Sequence, residues 1–286
     1  MRTLRYVLCD VFTSRPLEGN QLAVFTDARG VPDGLMQRLA LEMGFSESTF
    51  VLPPSGAGHA RVRIFTPRVE LAFAGHPVLG TALVIGGAIE AREVRLELTE
   101  SIVPVQIERE GARATFGWVQ QPLPKALPFD AESEALAALG VEETALPVGC
   151  FTNGPEHLLV AIDGRQRVAD LKPDLSRLGR VFAGTVSVFA RDSEGVKTRV
   201  FAPGAGVAED PATGSAAGAL GAYLAEHERL AFGETLRIEQ GAEIGRPSEL
   251  FVRVRGARSG GAVELEQVEV GGGVQIVARG EFRLPF

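Results

Sequence analysis

A basic excess is missing from this 286-residue chain, in which 29 Lys and Arg stand against 36 Asp and Glu for a formal net charge of −7. With no Lys/Arg run to neutralise phosphates, nucleic acid is not an expected partner. Long apolar runs are missing too. The strongest, Val78 to Ile89, contains Thr81 and three glycines and falls far short of the roughly 18 residues a membrane span needs, so no membrane partner is expected. Near the N-terminus, Asp10 breaks the apolar run that follows Arg5 before it could form a signal-peptide core. A cytoplasmic location is the resulting expectation. There are only two cysteines, Cys9 and Cys150, read as small buried thiols in a reducing compartment.

Several chemistries lose their support in the same way. The sequence has no Gly-x-x-x-x-Gly-Lys-Ser/Thr loop and no Gly-x-Gly-x-x-Gly after its first strand-like run, which removes the main evidence for a nucleotide cofactor. His59, His76, His157 and His227 are scattered without His-Glu-x-x-His or Cys-x-x-Cys partners, so no metal is expected. Ser215, in Thr-Gly-Ser-Ala-Ala, does not match the Gly-x-Ser-x-Gly elbow of a hydrolase. One Trp and two Tyr leave any stacking on a ring to the 16 phenylalanines.

What remains is a folded protein of ordinary make-up, 45% apolar and 23% charged, long enough to bury roughly 75% of its extended surface. Helix signals are few: Asp33 to Met43, Pro77 to Ile85, Ala131 to Leu139, and Gly214 to Glu226. Strand-like runs dominate the rest, among them Leu4 to Val11, Thr49 to Leu52, Ala60 to Phe65, Thr185 to Phe189, Thr198 to Phe201, Ala262 to Val270 and Val274 to Val277. The expected class is α+β, rich in strands.

The segment from Gln120 to Pro128 carries three prolines, which remove backbone donors and hold their neighbours extended. It reads as a connector between domains 1–120 and 121–286, the last strand or tail being free to return to the first domain. An internal echo supports the cut, since Arg63-Ile64-Phe65-Thr66-Pro67 recurs as Arg199-Val200-Phe201-Ala202-Pro203. Each copy leads to a glycine-marked helix start, Ala74-Gly75-His76-Pro77 in one half and Thr213-Gly214-Ser215-Ala216 in the other.

First-turn amides have no partner inside their helix and carry the positive end of its dipole, so a carboxylate docked there gains hydrogen bonds without a formal cation. If two related halves face each other, both starts point into one cleft, with His76 and Ser215 flanking a small acid. The plainer alternative makes Gly75 and Gly214 loop-shaping residues and His76 a surface or core histidine. Glu209 and Asp210 lie just upstream of the second start, where carboxylates commonly cap amides. Glu47 stands alone among Phe45, Ser46, Ser48 and Thr49 at a strand start. Partial desolvation there raises a carboxyl pKa towards values useful for proton transfer, whereas a solvated edge glutamate is the commoner case.

Taken together, Asp10-Val11-Phe12-Thr13 with Gly19-Asn20, Ser46-Glu47-Ser48-Thr49-Phe50, Phe73-Ala74-Gly75-His76-Pro77, Glu209-Asp210-Pro211-Ala212-Thr213-Gly214-Ser215-Ala216, and Gln240-Gly241 with Gly245-Arg246-Pro247-Ser248 resemble the PhzF-like isomerase family of phenazine biosynthesis, within the diaminopimelate epimerase-like fold. The resemblance spans almost the whole chain. It implies two similar domains, each a mostly antiparallel sheet wrapped around a central helix, with the active site in the cleft between them. It also implies a catalytic set of Glu47, His76 and Asp210, and substrate binding by Asn20, Gly75, Gly214 and Ser215. Epimerases of this fold place one cysteine at each helix start; Ala74 and Thr213 occupy those positions here, so a two-thiol racemisation is excluded. A single carboxylate, Glu47, can lift a proton from one carbon and return it to another on the same face. The expected protein is thus a cofactor-independent isomerase of a small carboxylate-bearing substrate, and the family's habit implies a homodimer. The alternative is a binding protein that keeps the cleft without catalysis.

Overall fold

The structure, a computed structural model, describes residues 2–99, 101–260 and 262–284. The chain divides into two compact units, Met1–Gln120 with Gly271–Phe286, and Gln121–Val270. The stretch from Gly271 onward counts with the first unit, so the second ends at 270 rather than 286.

The first unit contains β1 (Arg2–Val11), β2 (Asn20–Phe25), α1 (Asp33–Met43), β3 (Glu47–Leu52), β4 (Ala60–Phe65), β5 (Glu70–Leu71), α2 (Gly75–Ile89), β6 (Glu93–Glu97), β7 (Ile102–Glu110) and β8 (Arg113–Gln121). The second contains β9 (Lys125–Leu127), α3 (Glu132–Leu139), β10 (Gly149–Thr152), β11 (Glu156–Ala161), α4 (Arg165–Ala169), α5 (Leu175–Val181), β12 (Thr185–Asp192), β13 (Gly195–Ala202), β14 (Val207–Asp210), α6 (Gly214–Glu226), β15 (Thr235–Gln240) and β16 (Ser248–Ser259). The last strand, β17 (Ala262–Leu284), begins in the second unit and ends in the first, where it pairs antiparallel with β1 from Arg2↔Leu284 to Val11↔Val274.

The units repeat one pattern of pairing. In the first, β2 and β3 run parallel across α1, β3 and β4 antiparallel, and β4 and β6 parallel across α2. In the second, β11 and β12 run parallel across α4 and α5, β12 and β13 antiparallel, and β13 and β15 parallel across α6. Parallel neighbours need such crossovers, whereas antiparallel ones need only a turn. The sequence echo falls at matching places. Arg63 of β4 pairs with Glu70 of β5 at 2.7 Å and lies over the Phe65 ring at 5.1 Å. Arg199 of β13 pairs with Glu209 of β14 at 2.8 Å and lies over Phe201 at 5.0 Å.

In each unit one helix is buried on nearly all sides, so its sequence is apolar all round rather than striped. From Gly75 to Leu83 every residue of α2 is buried, as is α6 from Gly214 to Ala225. The first packs on β1, β2, β3, β6 and β7, and the second on β10, β11 and β16. Separate apolar clusters lie elsewhere in each unit, one holding Phe25 stacked on Phe50 at 4.6 Å with Phe65 edge-on to Phe50, the other holding Phe182, Val188 and Phe201. No helix among the described residues is long and apolar enough to cross a membrane.

Three sequence expectations need correction. The helix placed at Pro77 begins at Gly75, with Ala74 in extended conformation before it; proline is tolerated in a first turn, where its missing N–H has no helical acceptor to lose. The short helices α4 and α5 carry no legible periodicity at five and seven residues. The two runs ending at Val270 and starting at Val274 are one strand. Gly271 and Gly272 between them are not a break but a close approach, since an added Cβ would lie 2.6 Å from the Trp118 ring and 2.3 Å from the Phe12 ring.

Candidate active site

In the first unit, three elements bring Glu47, His76 and Asn20 together. Glu47 opens β3 opposite Leu22 of the parallel β2, Asn20 opens β2, and His76 is the second residue of α2, which packs against both strands. His76 Nε2 lies 3.4 Å from Glu47 Oε2, and the Asn20 amide lies 3.4 Å from His76 Nδ1. The Glu47 side chain is 16% exposed and that of His76 5%. Burial drives the His76 pKa down to about 3, against a backbone hydrogen bond with Gln21 that acts the other way. The imidazole is therefore neutral at pH 7, as suits a ring in the first turn of a helix, where the dipole disfavours a cation.

The loop into Asn20 is held from several sides. Phe12 adopts a left-handed conformation with φ 65°, and the amides of Phe12 and Thr13 both donate to the Gly273 carbonyl. The Leu17 amide donates to Asp10 Oδ2 at 2.7 Å. Asn20 itself is buried, which fixes its amide beside the ring.

In the second unit, the chain between β14 and α6 folds around Thr213. Its hydroxyl donates to Asp210 Oδ2 at 2.6 Å. Gln240, at the end of β15, donates to the Asp210 carbonyl at 2.7 Å and accepts from the Thr213 amide at 3.2 Å. Asp210 is thus bound to its own loop, and Glu209 is paired with Arg199. Ser215, the second residue of α6, is 6% exposed.

The starts of the two buried helices, α2 and α6, share a feature that α1, α3 and α5 lack. Neither Ala74 nor Thr213 caps its helix with a side chain, and neither first turn carries an acid. By contrast Asp174 caps α5 by accepting from the Arg177 amide, and α1 and α3 have acidic first turns. First-turn amides left in this state are ready donors to an anion. Gly75 and Gly214 lead these turns, and neither is among the left-handed glycines. Both cysteines are free and buried, and burial pushes the thiol pKa of each up, so neither is a thiolate base. Among the described residues no group of His, Cys, Asp and Glu is arranged to hold a metal ion.

The two units thus repeat one α+β pattern, with a half-buried carboxylate beside a buried imidazole at one helix start and a buried serine at the other. The chain belongs to the family described as phenazine biosynthesis-like protein, which it matches over residues 9–280. It is 41% identical over 275 residues to trans-2,3-dihydro-3-hydroxyanthranilate isomerase of Pseudomonas fluorescens, covering 96% of this chain and 98% of that one. Among solved structures, a phenazine biosynthesis protein of the PhzF family from Bacillus anthracis superposes with a TM-score of 0.86 at 26% identity, covering 99% of this chain and all of the other. A predicted epimerase from Pseudomonas aeruginosa superposes at 0.82 with 32% identity and the same coverage. Identity at this level along nearly the full length makes this chain an isomerase of the PhzF type.

Sequence reading passed over four residues that the fold brings to the start of α6: Gln121, Asn153, His157 and Thr185. Only His157 carried a signal, as a histidine with no motif around it.

Proposed function

We propose that this isomerase moves a proton on a small carboxylate-bearing substrate without a cofactor, with Glu47 as the single proton carrier. The observation that carries the reading is the 3.4 Å contact between Glu47 and a buried, neutral His76. The Glu47 carboxylate lifts a proton from one carbon, leaving its electron pair delocalised over the adjoining unsaturation. The same proton, now on Glu47, returns to another carbon on the same face, so the base is regenerated and no net proton is gained or lost. A neutral imidazole beside Glu47 keeps a second charge out of the pair, so that the proton that moves is the one on the glutamate. Asn20 holds the ring, and Asp210 supports the turn before α6. The first-turn amides at Gly75 in one unit, and at Gly214 and Ser215 in the other, are each suited to receive a substrate oxygen.

The substrate named for relatives of 41–42% identity, trans-2,3-dihydro-3-hydroxyanthranilate, is the compound to test first. It has the required carboxylate and a conjugated ring along which hydrogen can move. Formation of the isomer, followed by chromatography and absorbance, distinguishes proton transfer from simple binding, and the share of product that gains deuterium in deuterated water reports how often the proton on Glu47 exchanges before it returns. Turnover by the native protein with its loss in Glu47→Gln supports the reading. Binding with no turnover and no isotope exchange would leave a small-acid binding protein instead.

A further inference from the structure

The start of α6 is held by a chain of buried polar side chains that runs inward from its first turn. Gln121 Nε2 lies 3.0 Å from the Gly214 carbonyl, and Asn153 Nδ2 lies 2.9 Å from the Ser215 carbonyl and 3.1 Å from Gln121 Oε1. Behind them, His157 Nε2 lies 3.1 Å from Asn153 Oδ1, and His157 Nδ1 lies 2.6 Å from the Thr185 hydroxyl. Gln121, Asn153 and His157 are 4%, 3% and 0% exposed.

Every donor in this chain can be oriented from chemistry alone. Peptide carbonyls only accept, so Gln121 and Asn153 must turn their NH2 groups to Gly214 and Ser215. With both of its N–H bonds used, Asn153 offers only its carbonyl to His157, whose Nε2 must therefore carry the ring proton. Nδ1 is then an acceptor, and the Thr185 hydroxyl donates to it. This assignment requires a neutral ring, and burial pushes His157 down to about 3. Gly218 makes room for the arrangement, since a Cβ there would lie 2.1 Å from Gln121 Oε1.

Such a buried network fixes a helix start more tightly than packing alone, and it also polarises it. The carbonyl of Gly214 shares a peptide unit with the Ser215 N–H, and the carbonyl of Ser215 shares one with the Ala216 N–H. Donation to those oxygens makes the two N–H groups stronger donors, in line with cooperative strengthening of roughly 10–30% per bond along hydrogen-bonded chains. Ser215 beside them is 6% exposed, and no side-chain hydrogen bond of its hydroxyl is present among the described residues. A hydroxyl on a largely buried residue, left open to a ligand next to sharpened amides, marks a place for a ligand oxygen.

We infer that Asn153, with Gln121, His157 and Thr185, is a positioning network that tunes the first turn of α6 for a carboxylate. This deepens the proposed function and rests on it. None of the four touches substrate; they act through Ser215 and its neighbouring amides.

The test compares anthranilate with its neutral amide, anthranilamide, by titration calorimetry on the native chain, on Asn153→Ala and on Thr185→Val. None of these substitutions changes formal charge. The native chain should prefer the acid. Asn153→Ala should weaken anthranilate by at least about threefold, the effect of losing one or two ordinary hydrogen bonds, with little change for the amide. Thr185→Val, three hydrogen bonds from the Ser215 carbonyl, should shift the same ratio in the same direction by less. In turnover of trans-2,3-dihydro-3-hydroxyanthranilate, KM should rise while kcat stays within about twofold. Equal weakening of acid and amide, or a fall in kcat with KM unchanged, overturns the network's role and leaves it structural. If Asn153→Ala does not fold, the Thr185→Val ratio decides alone, and no shift in it overturns the inference. Native protein that binds acid and amide alike, or neither, overturns the carboxylate reading itself, a result the variants cannot produce.

Discussion

At the register position where the first unit carries Glu47, the second carries Thr185. The alignment is fixed by the paired strands, since Ser48 lies opposite Phe65 in one unit and Val186 opposite Phe201 in the other, and Glu47 and Thr185 each come one residue earlier. Opposite them on the parallel neighbour stand Leu22 in the first unit and His157 in the second. Each unit therefore has a buried histidine near this place, held neutral by burial, but on different elements and for different work. In the first the ring sits on the helix and meets a carboxylate. In the second it sits on the strand and closes a polar network through Asn153 and Thr185. One pattern of strand pairing occurs twice, and only the first copy places a carboxylate at this position.

The largest effect should come from the side that carries the proton. Glu47→Gln keeps the shape and hydrogen-bonding reach of the side chain while removing its basicity, and should lower kcat by about 10² to 10⁴, the usual loss for a general acid/base. The register mate should not behave this way. Thr185→Val should act on KM, as expected for a residue that supports a binding turn. Steady-state kinetics on the two variants side by side would erase the asymmetry if kcat fell equally in both.

A second contrast lies in the repeated arginines. Arg199 and Glu209 are nearly closed to solvent, with side chains 10% and 9% exposed, and Arg199 also donates to the carbonyls of Ala169 and Leu171 just past α4. Arg63 has partners facing water, Asp33 at 78% and Glu70 at 34%. Removing one member of a buried pair strands the other charge, which typically costs about 3–5 kcal/mol, whereas exposed pairs are worth about 1 kcal/mol or less. Arg199→Met should accordingly lower stability in urea by several-fold more than Arg63→Met. Equal losses in the two variants would mean that solvent reaches Glu209 and that the burial contrast has no energetic consequence.

Much of this was legible in the sequence, for identifiable reasons. The two buried helices announced themselves through small residues and a leading glycine, and the repeated Arg-x-Phe strands marked the duplication. Glu47 and His76 stood out because each was chemically odd among its neighbours. The polar network behind α6 did not, because Gln121, Asn153 and Thr185 are ordinary residues in sequence and acquire meaning only when β11, β12 and the start of α6 converge. Gly271 and Gly272 were misleading in the opposite sense. Glycine signals a break when its backbone conformation is the point, and in this strand the missing side chain is the point.

The smallest effect separates two glutamates at matching places in β6 and β15. Glu97 stands opposite Arg61 and Glu239 opposite Lys197 in equivalent parallel pairs. Glu97 accepts from the amides of Ser55, Gly56 and Gly58 at 2.7, 2.8 and 2.8 Å and from the Ser55 hydroxyl at 2.9 Å. These bonds hold its pKa at about 2, below the ordinary 4.5. A carboxyl with a depressed folded pKa contributes stability that is present in full above its unfolded value and is lost as pH falls through its folded one. The advantage of the native chain over Glu97→Gln should therefore be steady from pH 7 to about 5 and shrink between about 4.5 and 2. Glu239 pairs instead with Arg165 and with Arg237 in partly exposed ion pairs, which salt screens. Urea midpoints for Glu97→Gln and Glu239→Gln across pH, in low salt and in 1 M salt, should show a pH-dependent, salt-resistant difference for the first and a salt-sensitive one for the second. A Glu97→Gln difference that stays flat down to pH 2 would mean that the amides of the 55–58 loop do not hold a charged carboxylate, and the two positions would then be alike.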